Sequence, residues 1–124
     1  CLNKKIILVF DRFIDSTIAY QGYGRGISLD LIENMHSVIL NGIIPDITFV
    51  IDASVSELRE VIGKDADRLE KSIKFQEKVR RGYLKIAEDE PERVKIIRRS
   101  SINETFQNIQ KIWQEFLNER NTGI

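Results

Sequence analysis

Residues 11–26 read Asp-Arg-Phe-Ile-Asp-Ser-Thr-Ile-Ala-Tyr-Gln-Gly-Tyr-Gly-Arg-Gly, and they gather charge, hydroxyls, an amide and glycine directly behind an apolar run. Arg12 is the first group there with chemistry to offer. Its planar fork matches two oxygens of a phosphate or carboxylate at once, and an arginine just past a buried parallel strand faces the crevice where open α/β sheets take ligands. Asp11 beside it allows a plainer reading, a structural ion pair, which is the commoner origin of an isolated Asp-Arg dipeptide.

Thr17, Tyr20 and Gln21 stand at i, i+3 and i+4, so a short helix over 16–21, with Asp15 as its N-cap, places them on one face together with Ser16 nearby. Hydroxyls, a phenol and a primary amide suit a nucleoside: the amide donates and accepts on one base edge, and the ring packs against a sugar. The same residues describe a polar helix start facing water equally well. Gly22, Gly24 and Gly26 are expected to break the helix. Gly-Tyr-Gly-Arg-Gly matches neither the Walker pattern nor the dinucleotide fingerprint, which makes a flexible surface turn a simpler reading than an anion cradle. Further on, Lys64 and Arg68 with the acids between them precede a long helix, the layout of a flap that closes positive charge over a phosphate. A plain helix start capped by Asp67 accounts for the same residues. His36 has no acid, cysteine or second histidine near it in sequence, and reads as a packed or surface histidine rather than a ligand.

The elements that must position these groups follow from periodicity. Residues 6–10 are continuously apolar and β-branched, as in a strand covered on both faces. Ser28 caps a helix over 29–40 whose Leu31, Ile32, Met35, Val38 and Ile39 keep helical period, ending at Asn41-Gly42. A second buried strand is predicted over 46–51, with Asp52 at its end. Ser54 and Glu57 have capping-box spacing and predict a helix over 55–62, and 63–67 reads as a loop. A long helix over 68–87 carries Leu69, Ile73, Val79, Tyr83 and Ile86 along one stripe. After Pro91 come a short strand over 94–97 and a last helix capped by Ser101 and Glu104, with Phe106, Ile109, Trp113, Phe116 and Leu117 inward. The order predicts an α/β fold, a mostly parallel sheet flanked by helices, in one domain over 1–124.

Composition narrows the partners. Lysine plus arginine and aspartate plus glutamate number 19 each, so no global field favours nucleic acid or an anionic membrane, and any anion site must be local. No apolar stretch is long enough to span a bilayer. Cys1 alone cannot form an internal disulfide, and a reducing, cytoplasmic setting is the simplest expectation.

Taken together, Asp11-Arg12-Phe13 with Ser16-Thr17-x-Ala19-Tyr20-Gln21-Gly22-x-Gly24-Arg25-Gly26 resembles the signature of bacterial-type thymidylate kinases. The resemblance continues through Pro45-Asp46-Ile47-Thr48-Phe49, Asp67-Arg68-Leu69-Glu70, Phe75-Gln76-Glu77-Lys78-Val79-Arg80-Arg81-Gly82-Tyr83 and Glu90-Pro91-Glu92-Arg93, covering nearly the whole chain in the family's order. It implies a P-loop nucleoside monophosphate kinase fold, a homodimer, and transfer of the ATP γ-phosphoryl group to dTMP with Mg2+. By the same resemblance Arg12 holds the dTMP phosphate, and Asp11 orders water around Mg2+. Thr17 and Gln21 lie on the thymine side with Ser16 supporting them, and Tyr20 stands by the deoxyribose. In a lid at about 63–75, Arg68 brings positive charge over the phosphates and Glu70 makes a substrate-side contact.

The departures are specific. Phe13 replaces a frequent tyrosine or histidine. Arg98-Arg99 stands where many members have Asp-Ala at the loop bordering adenine, so Arg98 either stacks on the purine of ATP or belongs to a solvated loop. No Gly-x-x-x-x-Gly-Lys-Ser/Thr occurs in the sequence. The family carries that phosphate loop on an N-terminal strand lying between the strands equivalent to 6–10 and 46–51. The expectation is therefore a C-terminal portion of a longer enzyme missing its N-terminal strands, inactive alone, unless the two strands re-pair directly or another chain fills the gap. The rival readings are a non-catalytic nucleotide-binding or dimerisation module, and a kinase for another deoxynucleoside monophosphate.

Overall fold

The computed structural model describes residues 6–59 and 66–122. Helix α1 (Ile14–Thr17) runs on into a π-helical segment (Ile18–Gly24) and is followed by α2 (Leu29–Leu40), β1 (Thr48–Asp52), α3 (Val55–Arg59), α4 (Ala66–Asp89), β2 (Val94–Arg98) and α5 (Ile102–Thr122). β1 and β2 pair in parallel, in register from Thr48 opposite Val94 to Asp52 opposite Arg98. Parallel neighbours need a long crossover, which α3 and α4 supply. The fold is α/β with a parallel sheet flanked by helices, as the periodicity predicts.

The predicted strand over 6–10 does not form. These residues are irregular and exposed, Val9 at 90 % and Leu8 at 45 %. An apolar segment becomes a strand only beside a partner that takes up its N–H and C=O groups. Among the described residues β1 is paired with β2 alone, so the direct re-pairing of 6–10 with β1 is not what the chain does.

The core lies where the π-helical segment and the sheet meet α4. Ala19, Val79, Ile86 and Val94 are buried together, with Ile18, Tyr20, Val50, Phe75 and Tyr83 packed around them. From Ile73 on, the predicted stripe of α4 is borne out: Ile73, Val79 and Ile86 are buried and Tyr83 is half-buried, while the Leu69 side chain lies outside the described residues. The helix starts at Ala66, inside the stretch expected to be a loop, and residues 60–65 lie outside the described residues.

Gly22 and Gly24 do not break the first helix; the chain stays helical through both, and both are buried. Their role is close approach. A Cβ on Gly24 would come within 2.8 Å of the Phe75 ring, and one on Gly22 would overlap Leu29 Cδ2. Gly82 on α4 answers from the other side, where a Cβ would sit 2.8 Å from Tyr23 Cβ. Period alone cannot distinguish a glycine that ends a helix from one that lets two helices touch.

α2 is capped as predicted: the Ser28 hydroxyl accepts from the Leu31 N–H at 3.5 Å, and Asn41 ends the helix in the left-handed region. Only Ile32 of its periodic residues is buried, whereas Leu31, Met35, Val38 and Ile39 are exposed. In α5 the inner face runs through Thr105, Ile109, Ile112 and Phe116, at steps of four, three and four. Phe106 falls one position off that face and is exposed rather than inward.

Candidate active site

The turn that delivers the site is built at Arg12. Its φ of 67° places a bulky side chain in the left-handed region, a conformation costing on the order of 1–3 kcal/mol unless its surroundings hold it. They do. The guanidinium carbon lies 4.4 Å from the centre of the Tyr20 ring, a cation–π contact, and Arg12 Nε–H donates a long hydrogen bond of 3.4 Å to Ser16 Oγ. Arg12 itself remains exposed.

Ser16 and Tyr20 are held in turn by α4. The Ser16 and Tyr83 hydroxyls are 2.7 Å apart. Tyr20 meets Phe75 and Tyr83 edge-on, with ring centres 6.0 and 6.4 Å away. Burial raises the Tyr83 phenol above its ordinary pKa, against a smaller opposing effect of the Ser16 hydrogen bond, so it stays protonated at neutral pH. Tyr83 was legible only as part of an apolar stripe, since nothing in the spacing says which stripe residue turns a polar tip toward the site.

Arg12, Ser16 and Thr17 line a groove of about 370 Å³ with Phe13 and Ile14 on their own side and His36, Ile39 and Leu40 of α2 opposite. The groove thus brings together three of the predicted site residues, and it places the half-buried His36 on its far wall. Gln21 is not part of that lining; its Oε1 accepts from Arg25 Nη1 at 3.2 Å. Asp11 is exposed at the turn. Arg68 and Glu70 fall in the first turns of α4, and their side chains lie outside the described residues.

Asp15 is not an N-cap. It sits inside α1, is 3 % exposed, and takes two bonds from Arg93, at 2.7 and 2.8 Å, and one from the Thr48 hydroxyl at 2.9 Å. Arg93 also grips Glu90 at 2.7 and 2.9 Å, and these acids raise its pKa further, Asp15 first. This network ties the site helix to the start of β1 and the approach to β2. A carboxylate before Ser-Thr looks like a cap in sequence, and only the fold brings Arg93 to it.

A second network closes the carboxyl end of the sheet. Asp52 takes Arg80 Nε and Nη2 at 2.6 and 2.8 Å, which lowers its pKa below the ordinary 3.8. Arg98, the predicted neighbour of adenine, ends β2 with Nη2 on Glu57 at 3.1 Å and Nη1 3.8 Å from Asp52. Glu57 also accepts from the Ser54 hydroxyl and N–H at 2.7 and 2.6 Å, the returning half of the predicted capping box.

Among the described residues no three His, Cys, Asp or Glu side chains gather where they could hold a metal ion. A lone exposed carboxylate at Asp11 fits contact through water with a hydrated Mg2+, an ion that keeps several waters and takes substrate phosphates as ligands. No helix of the described residues is long and apolar enough to cross a membrane.

Comparison with known proteins places this geometry in context. The family model described as thymidylate kinase matches residues 1–109. The chain is 43 % identical over 98 residues to the thymidylate kinase of Caldanaerobacter subterraneus subsp. tengcongensis, covering 77 % of this chain and 47 % of that one. It is 37 % identical over 124 residues to that of Mycoplasma capricolum subsp. capricolum, covering 95 % and 58 %. The crystal structure of thymidylate kinase from Ehrlichia chaffeensis superposes with a TM-score of 0.71 at 36 % identity, covering 91 % of this chain and 53 % of that one. The chain therefore spans about half the length of the curated relatives it matches.

Proposed function

The chain belongs to the thymidylate kinase family, and from that premise we propose that the protein transfers the γ-phosphoryl group of ATP to the 5′-phosphate of dTMP, with the residues described here forming the acceptor side. The observation that carries the reading is the cluster of Arg12, Ser16 and Tyr20, in which an exposed guanidinium is braced from behind by a hydroxyl and a ring. In the transfer, the bond from the γ-phosphorus to the ADP oxygen breaks as one forms to a dTMP phosphate oxygen. The acceptor phosphate is anionic at neutral pH, so no strong base is required, and alignment and charge neutralisation carry the rate.

Arg12 is the residue we assign to the dTMP phosphate, and Arg68 on α4 to positive charge over the phosphates as the lid closes. Thr17 and Gln21 read thymine, with Ser16 supporting them, and Glu70 contacts the substrate. Tyr20, fixed edge-on by Phe75 and Tyr83, stands beside the deoxyribose, where its bulk disfavours a 2′-hydroxyl. Asp11 holds water of a hydrated Mg2+, which neutralises phosphate charge when bound. Arg98, which here bonds Glu57, is the residue we place beside adenine. The apolar surface of α2, Leu31, Met35 and Val38, supports a homodimer formed through helices, and we infer a cytoplasmic setting from a sequence whose single cysteine cannot form an internal disulfide.

The test is ADP formation by the whole protein with ATP and Mg2+, presented in turn with dTMP, dUMP and dCMP. The highest kcat/KM is expected for dTMP. Far better turnover of dUMP or dCMP would overturn the substrate assignment, and nucleotide binding without ADP formation would establish a non-catalytic module instead.

A further inference from the structure

Arg12 has a second, hidden support that lies across the chain from it. Ser16 Oγ is shared: it accepts from Arg12 Nε–H at 3.4 Å and lies 2.7 Å from the Tyr83 hydroxyl. Tyr83 comes from the middle of α4, the helix whose first turns carry Arg68 and Glu70. Its ring also fixes Tyr20 edge-on, and Tyr20 is the ring over which the Arg12 guanidinium lies. Both contacts that hold the strained Arg12 backbone and its side chain therefore lead back to one phenol.

We propose that Tyr83 is a positioning residue for Arg12, acting through the Ser16 hydroxyl, and that it links the setting of α4 to the placement of the phosphate-binding guanidinium. The inference rests on the kinase reading above. A serine hydroxyl left alone rotates among its staggered positions and can donate as readily as accept. With its proton spent on Tyr83 Oη, 2.7 Å away, Ser16 Oγ has its lone pairs left for Arg12 Nε–H; that donor direction is part of the proposal. The phenol is held because its ring packs against the buried cluster of Ala19, Val79, Ile86 and Val94. Arg12 thereby gains a fixed Nε, and its two outer nitrogens are left for a ligand. Tyr83 touches neither substrate nor reacting atom in this account.

The experiment is a cycle of Tyr83→Phe, Ser16→Ala and the double variant in the whole protein, with kcat and KM for dTMP, KM for ATP and the unfolding midpoint measured for each. Tyr83→Phe keeps the ring and its contacts and removes only the hydroxyl. It is expected to lower kcat/KM for dTMP between about tenfold and a hundredfold, the scale of a small misplacement of a catalytic group. KM for ATP and the unfolding midpoint should stay at the parent values. The double variant should be no worse than Ser16→Ala alone. Full activity in Tyr83→Phe, or losses that multiply in the double variant, would overturn the proposal. A second readout needs no turnover: Arg12 Nε–H, its 15N resonance assigned through Arg12→Lys, should exchange with solvent faster in Tyr83→Phe than in the parent. If the parent protein fails to phosphorylate dTMP, the kinase reading falls, and unchanged exchange at Arg12 Nε would separately overturn the link to Tyr83.

Discussion

Arg93 holds both carboxylate oxygens of Asp15, Nη2 on Oδ1 at 2.7 Å and Nη1 on Oδ2 at 2.8 Å, although 78 residues separate them in sequence. The pair ties two parts of the molecule together: Asp15 directly precedes Ser16 and Thr17, and Arg93 directly precedes β2.

Removing one partner should cost far more than the pair itself contributes, because the other is left charged and buried. The side chains are 10 % and 4 % exposed, which puts Asp15→Ala at about 3 kcal/mol, the low end of the range for breaking a buried pair, since Glu90 remains for Arg93. Urea unfolding of the whole protein measures this. A loss below about 0.5 kcal/mol, the ordinary scale of a surface change, would show that the pair carries no weight.

The glycines make a second, sharper case. Alanine is the better helix former by about 1 kcal/mol, so propensity alone says Gly82→Ala in the middle of α4 stabilises. The structure says the reverse, because the new Cβ would meet the Tyr23 side chain at 2.8–2.9 Å. We expect a net destabilisation of about 1–3 kcal/mol, the usual cost of overpacking, read as a lowered unfolding midpoint. A midpoint that rises would mean that Tyr23 moves aside freely.

These two cases mark what can be read from residue order and what cannot. Helices α2, α4 and α5 were legible because their apolar spacing and capping residues are local. So was the grouping of Arg12, Ser16 and Tyr20, which fall within one short stretch and meet there. Residues 6–10 misled because apolar, β-branched sequence describes what a strand needs and not whether a neighbour is beside it. Asp15, Arg93 and Tyr83 were out of reach for a different reason. Each makes its decisive contact across most of the chain, where periodicity carries no information.

Arg12 itself can be probed by comparing two replacements. If Arg12 has the role proposed for it, Arg12→Ala removes the positive charge offered to the acceptor phosphate and should lower kcat by a factor of about 10²–10³ with the fold retained. Arg12→Lys keeps the charge but loses the fork and the flat face that lies on Tyr20, and it is expected to recover only a small part of the rate. Steady-state kinetics with dTMP decide both. A near-parental rate in Arg12→Ala would take this residue out of the site.

Acid stability should report the other end of the sheet. Arg80 holds the Asp52 carboxyl below its ordinary 3.8 in the folded protein, so folding favours the charged form. The contribution is full above the unfolded value and fades as pH falls through the lower folded one, where the bound proton ends the grip of Arg80. Asp52→Asn removes that dependence. From about pH 5 downward, through the unfolded 3.8 and on through the lower folded value, the parent protein should lose stability more steeply than the variant, and the two curves should converge only below that folded value. Glu57, lowered by its bonds from the Ser54 hydroxyl and N–H, acts in the same direction. Parallel curves for Asp52→Asn and parent would mean that the Arg80 pair does not set the acid limb.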